Sequence, residues 1–116
     1  MRALVTGAAS GIGRATCLRL ARDARARGDK AQIAAVDLAT APGLESLADE
    51  LAKLEATALP LRADMGTPDG PARAVGEAVT RLGGLDALVS NAGVNRPGLL
   101  VEYTVEDWDR LFAVNA

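Results

Sequence analysis

Short apolar runs alternate with amphipathic helical patterns along the whole chain, and this alternation constrains the fold more than any other feature. Arg2–Thr6 (RALVT) reads as a strand ending at Gly7. A helix begins near Gly11 and sets Gly13, Cys17, Leu20 and Ala24 on one face. Arg22, Arg25 and Arg27 sit near its end, where cations suit the negative pole of the dipole, and Gly28 is its C-cap. Ile33–Asp37 (IAAVD) is the next strand. After the break at Ala41-Pro42-Gly43, Leu44, Leu47, Ala48, Leu51 and Leu54 repeat at helical spacing.

Ala58–Ala63 (ALPLRA) is a third strand ending at Asp64; Pro60 cannot donate to a ladder, which places this strand at a sheet edge. Pro68–Pro71 opens a helix carried by Val75, Ala78, Val79 and Leu82 and closed by Gly83-Gly84. Leu85–Ser90 (LDALVS) reads as a fourth strand. Thr104 with Asp107 three residues on forms a capping box for a last helix bearing Val105, Trp108, Leu111, Phe112 and Asn115. Nearly all-apolar strands alternating with helices indicate a parallel sheet covered on both faces. Right-handed crossovers then predict half of a Rossmann-type, doubly wound α/β fold with strand order 3-2-1-4. That order puts the Pro60 strand at one edge and leaves the fourth strand open at the other. The last helical pattern has no C-cap, so residues 1–116 read as one domain whose fold is cut off midway.

Composition narrows the chemistry. The 116 residues are 49% hydrophobic with a net charge of −2, which suits one globular core and gives no electrostatic reason to expect nucleic acid or an anionic membrane as partner. No apolar run approaches the ~20 residues needed to span a bilayer. The absence of His excludes Ser-His-Asp triads, Cys-His pairs and His-ligated zinc within this chain. The single Cys excludes an internal disulfide or a thiolate metal cluster. No signal-peptide pattern opens the chain, and a reducing, cytoplasmic setting is the expectation.

The strongest local motif is Thr6-Gly7-Ala8-Ala9-Ser10-Gly11-Ile12-Gly13, between a strand and a helix. There, Gly7 permits a tight turn, Gly11 lets a pyrophosphate approach the backbone, and Gly13 lets helix and strand pack closely. The helix N-terminus supplies N–H donors and a positive dipole end. The spacing is G-x-x-x-G-x-G rather than G-x-G-x-x-G. Other residues carry plain structural readings. Asp37 is a solvated strand-end acid, Asp64 a loop cap, Asn91 a tie between strands, and Asn115 a satisfied amide on the face of Trp108 and Phe112. Cys17 and Ser90 read as structural, and Arg14 as a surface residue.

With these motifs in this order, the chain resembles the short-chain dehydrogenase/reductase family. Its T-G-x-x-x-G-x-G motif is matched in full by Thr6–Gly13. The resemblance implies a cofactor site of Thr6, Gly7, Ser10, Gly11, Ile12, Gly13, Asp37, Leu38, Asp64, Met65, Asn91, Ala92 and Gly93. In it Asp37 serves the adenosine ribose, Asp64 the adenine, and Asn91-Ala92-Gly93 the family's N-A-G element. Trp108–Asn115 (WDRLFAVN) resembles the helix whose Asn belongs to the catalytic tetrad, which makes Asn115 the one candidate catalytic residue. A carboxylate at Asp37 accepts hydrogen bonds from both ribose hydroxyls and repels a 2′-phosphate, and Ser10 is not basic; NAD is therefore expected rather than NADP.

The family's Ser, Tyr and Lys have no counterpart here. The only Tyr, Tyr103, is followed four residues later by Asp107, and the only Lys residues are Lys30 and Lys53. The segment from Arg14 to Asp37 also runs longer than usual for the family, around Ala24–Lys30. The resemblance implies an NAD(P)-dependent oxidoreductase that moves hydride between nicotinamide and a small-molecule carbonyl or alcohol, with a homo-oligomeric parent. By itself this chain binds dinucleotide at most. The alternative is a non-catalytic nucleotide-binding or self-associating module. Substrate, direction and stereochemistry are not encoded in these residues.

Overall fold

The computed structural model describes residues 1–116 as a four-stranded, all-parallel sheet with helices on both faces. In chain order the elements are β1 (Arg2–Thr6), α1 (Gly11–Ala26), β2 (Gln32–Asp37), α2 (Leu44–Lys53), β3 (Thr57–Arg62), α3 (Gly70–Leu82), β4 (Ala87–Val89) and α4 (Val105–Asn115). A single 3-10 turn at Leu100–Glu102 precedes α4, an element the sequence reading did not contain. The order is β3-β2-β1-β4, as expected. Thr6 pairs in register with Val36, Asp37 with Arg62, and Val5 with Val89.

The two faces follow from strand alternation. Val5, Ile33 and Ala35 point toward α1 and α2, where they meet Cys17, Ala21, Leu44, Leu47 and Leu51. Leu4, Ala34, Val36, Leu59 and Leu61 point the other way, against Ala74 and Ala78 of α3. Chain direction across the sheet explains the split. The steps β1→β2→β3 run one way and β3→β4 runs back, so crossovers of one hand place α1 and α2 on one face and α3 on the other. Alanine on both sides of these contacts lets helix and sheet approach closely.

Several details depart from the sequence reading. On α1 the buried positions are Gly13, Cys17, Ala21 and Ala24, so Ala21 takes the place expected for Leu20, which is half-buried beside it. The α1 end is a Schellman motif: Gly28 N–H donates to Arg25 and Asp29 N–H to Ala24, with Gly28 at φ +73°. The same motif closes α2, where Glu55 and Ala56 donate to Ala52 and Leu51 and the left-handed position is Glu55, at φ +61°. On α3 the buried residues are Gly70, Ala74 and Ala78, while Val75 and Val79 are exposed, because the helix seats on the sheet through its small residues. The fourth strand is only Ala87–Val89, and Ser90 is exposed beyond it rather than ending a buried strand. Leu85-Asp86 lies before the strand, although Asp86 N–H still donates to Arg2 O at 2.8 Å while its carboxylate accepts from the Arg2 N–H at 2.8 Å and the Arg2 guanidinium at 2.9 Å. No helix is long and apolar enough to cross a membrane. The α4 helix buries no residue; Trp108 and Phe112 stack on one another at 4.8 Å on its exposed face.

Candidate functional site

Parallel strands bring all their C-terminal ends to one edge of the sheet. Between β1 and β4 the direction of winding reverses, so the loops after these two strands diverge and leave a crevice. A cleft of about 440 Å³ opens there, walled by the loops after β1, β2, β3 and β4 and by α4.

The glycine loop forms its floor. A Cβ on Gly13 would lie 2.6 Å from Asn91 Nδ2 and 2.8 Å from the carbonyl carbon of Gly7, so only glycine lets α1 seat this close to β1. Gly11 differs: at φ +54° nothing would meet its Cβ within 4 Å, so its open side faces space rather than protein. Ser10 caps α1 in extended geometry without a side-chain hydrogen bond, and the first turn holds no acid. The leading N–H groups of α1 and its positive dipole end are therefore uncompensated beside the cleft. Ile12, 77% exposed, is an apolar side chain over the cleft mouth.

Asp37 closes the next wall. Ala8 N–H continues the β1–β2 ladder to Val36 at 3.1 Å, and Ala9 N–H donates to Asp37 Oδ2 at 2.8 Å. Leu38 N–H takes the other oxygen at 2.8 Å, so the carboxylate is fixed in orientation while it lines the cleft. Arg14 is not the surface residue its position suggests. It is half-buried and donates to Gly43 O at 2.9 Å, Ser46 Oγ at 3.2 Å and Glu50 Oε1 at 2.7 Å, tying α1 to α2 beneath the loop. Arg62 likewise donates to Leu38 O at 2.8 Å and Ala41 O at 2.6 Å, fixing the turn after β2.

Across the cleft, buried Thr6 accepts from Asn91 N–H at 3.0 Å and Ala92 N–H at 2.9 Å. The Asn91 amide donates back to Thr6 O at 3.0 Å. Asn115 uses both ends of its amide on one residue, accepting from Val94 N–H and donating to Val94 O, each at 2.9 Å. Asp64 accepts from Gly66 N–H at 2.8 Å and pairs with Arg110 Nη1 at 3.1 Å. The Gly66 N–H, assisted by the Arg110 guanidinium, holds the Asp64 carboxyl below the usual carboxylate range and outweighs its partial desolvation.

Of the nominated residues, Gly7, Ser10, Gly11, Ile12, Asp37, Leu38, Asp64, Met65, Asn91, Ala92 and Gly93 line this one cleft. Thr6, Gly13 and Asn115 do not: the first two lie behind the floor, and Asn115 is exposed at the end of α4, bracing Val94. Val36, Ala63, Val94, Arg110 and Val114 also line the cleft and were missed by the sequence reading. For Arg110 and Val114 the available signal was helical spacing, since residues four apart share a face.

The family pattern described as short chain dehydrogenase matches residues 1–116. A 3-oxoacyl-acyl-carrier-protein reductase of Thermotoga maritima is 38% identical over 112 residues, covering 97% of this chain and 43% of that protein. A sepiapterin reductase of Chlorobaculum tepidum is also 38% identical over 112 residues, covering 97% of this chain and 46% of its own length. A solved short chain dehydrogenase from Burkholderia cenocepacia, in complex with NADP, superposes with a TM-score of 0.87 at 36% identity, covering 98% of this chain and 44% of that one. A blue fluorescent protein from a metagenomic library, in complex with NADPH, superposes with a TM-score of 0.81 at 32% identity, covering 98% of this chain and 44% of that one. The chain thus spans less than half the length of these relatives. With the glycine loop, the strand order and the switch-point cleft all in place, the chain belongs to the short-chain dehydrogenase/reductase family.

Proposed function

We propose that residues 1–116 form the dinucleotide-binding unit of an oxidoreductase acting on a small carbonyl or alcohol, with NAD as its cofactor. The residues present fit such a group. The open side of Gly11 and the uncapped α1 N-terminus offer N–H donors to a pyrophosphate, and no side chain fills the space above them. When bound, the nicotinamide supplies the hydride chemistry; this chain supplies binding and orientation. Asp64 and Met65 line the adenosine end, and Ala92-Gly93 bring backbone close to the cofactor's middle. Asn115 acts through Val94, holding the loop after β4 in place against α4.

The observation that carries the NAD assignment is Asp37, whose carboxylate is pinned at the cleft wall by the Ala9 and Leu38 N–H groups. So held, it is placed to accept from ribose hydroxyls and to repel a 2′-phosphate. One observation favours a second reading, NADP. Arg62, Arg73 and Arg110 surround a smaller recess next to Leu38–Thr40, and two similar structures hold NADP or NADPH. Arg62 and Arg110 are already engaged by Glu45 and Asp64, which weakens that reading. Titration with NADH and NADPH, followed by nicotinamide fluorescence, decides between them. We expect NADH to bind at least about tenfold tighter, a difference of about 1.4 kcal/mol, and Asp37→Ser to narrow the gap. Equal or tighter NADPH binding would overturn the NAD assignment; binding of neither would overturn the dinucleotide reading. No Tyr-x-x-x-Lys pair is present, so we expect binding without turnover.

A further inference from the structure

Arg110 lies inside the Trp108–Asn115 segment, but no role has yet been given to it. It lies on α4, a helix with no buried residue, and it reaches across to the loop after β3. Its Nη1 lies 3.2 Å from Asp64 Oδ1 and 3.1 Å from Oδ2. No other side-chain hydrogen bond joins α4 to that side of the cleft: Asn115 goes to Val94, and Asp107 to Thr104 and Arg96. Space has been left for the contact. A Cβ on Gly66 would lie 2.6 Å from Arg110 Nη1 and 2.9 Å from Val114 Cγ2, so any other residue there would displace the guanidinium from its present position. Asp64, Arg110 and Val114 all line the large cleft. Gly66 N–H and Arg110 both engage Oδ1, while Oδ2 takes Arg110 alone and keeps a lone pair.

From this geometry we propose that Arg110 is a positioning residue for the adenosine end of the cleft, locking the Asp64 carboxylate so that the remaining lone pair of Oδ2 is open to an aminopurine, and tying α4 to that side. The inference rests on the dinucleotide reading above. The pair is partly exposed, with side chains 43% and 34% accessible, so its removal costs little fold stability and its effect falls on the ligand. An adenosine half-ligand feels the change; a nicotinamide half-ligand does not reach it.

The test uses the full chain with AMP and nicotinamide mononucleotide as separate probes, their Kd read by calorimetry. Arg110→Met keeps the aliphatic length and deletes the charge. We expect it to weaken AMP about tenfold, roughly the worth of one hydrogen bond no longer well placed, and leave nicotinamide mononucleotide within about twofold. Arg110→Lys restores the charge and recovers most of the loss. Gly66→Ala leaves both charges in the chain but displaces the guanidinium, and should reproduce Arg110→Met. Equal weakening of both probes would overturn the proposal, since a general loosening of α4 would then suffice. So would AMP affinity unchanged in Arg110→Met and Gly66→Ala. Failure of the wild-type chain to bind AMP, NADH or NADPH would instead remove the dinucleotide reading and this inference with it.

Discussion

Gly13→Ala separates two opposed effects at one position. In an ordinary helix interior, alanine is better than glycine by about 1 kcal/mol. At Gly13 the new methyl would stand 2.8 Å from the Gly7 carbonyl carbon and 2.6 Å from Asn91 Nδ2. Unstrained carbon contacts lie at about 3.5–4.0 Å, so α1 or the Gly7 loop must move by roughly 1 Å. Overpacking of that kind costs about 1–3 kcal/mol. The displaced partner is the Asn91 amide, whose bond to Thr6 O at 3.0 Å is worth about another 1 kcal/mol. The net expectation is a loss of about 1–3 kcal/mol. Gly76→Ala supplies the reference, because Gly76 is exposed on α3 and a Cβ there meets nothing within 4 Å. It should gain about 0.5–1 kcal/mol. Urea denaturation followed by far-UV circular dichroism reads both, and the midpoints should move in opposite directions. A Gly13→Ala chain as stable as wild type would refute the close-packing argument.

Three further outcomes are expected. Glu55→Gly relieves a left-handed residue at the α2 C-terminus and loses only an exposed ion pair with Arg25, so stability should rise by about 0.5–1 kcal/mol; a lower urea midpoint would contradict this. Thr6→Val keeps the shape but leaves the Asn91 and Ala92 N–H groups without their acceptor, and should cost about 1–3 kcal/mol by the same measurement. The Asp86 carboxyl, held by hydrogen bonds from Arg2, titrates at about 2 rather than 3.8. A depressed folded-state value means that the pair's contribution is present above pH 3.8 and is lost as pH falls through about 2. Carboxyl NMR should place the midpoint there, and Arg2→Met should return it toward 3.8.

Much of the fold was legible because its signals are local. Pro60 cannot donate in a ladder, which put its strand at an edge, where it lies. Leu44, Leu47 and Leu51 repeat at helical spacing and are fully buried. Thr104 and Asp107 make the reciprocal capping box that their spacing suggested. Misreadings arose where a residue's neighbours come from distant parts of the chain. Arg14 looked like a surface residue because nothing near it in sequence accepts its guanidinium; Gly43 and Glu50 do so only after α2 packs on α1. Val75 and Val79 fitted an apolar stripe, but the face a helix buries depends on what it meets, and α3 meets the sheet through Ala74 and Ala78.

The sequence by itself determined the alternation of strands and helices, the crossover sense that follows from chain chirality, and the backbone freedom at the glycine loop, since each depends on neighbouring residues alone. Tertiary structure decided which side chains share the cleft. Asp37 becomes a fixed wall only because Ala9 N–H reaches it. Asn115 becomes a brace for Val94. Arg110 meets Asp64 from 46 positions further along the chain, where the absence of a side chain at Gly66 leaves room for it. Such contacts join residues with no periodic relation, so they exist only once the sheet has set the loops side by side.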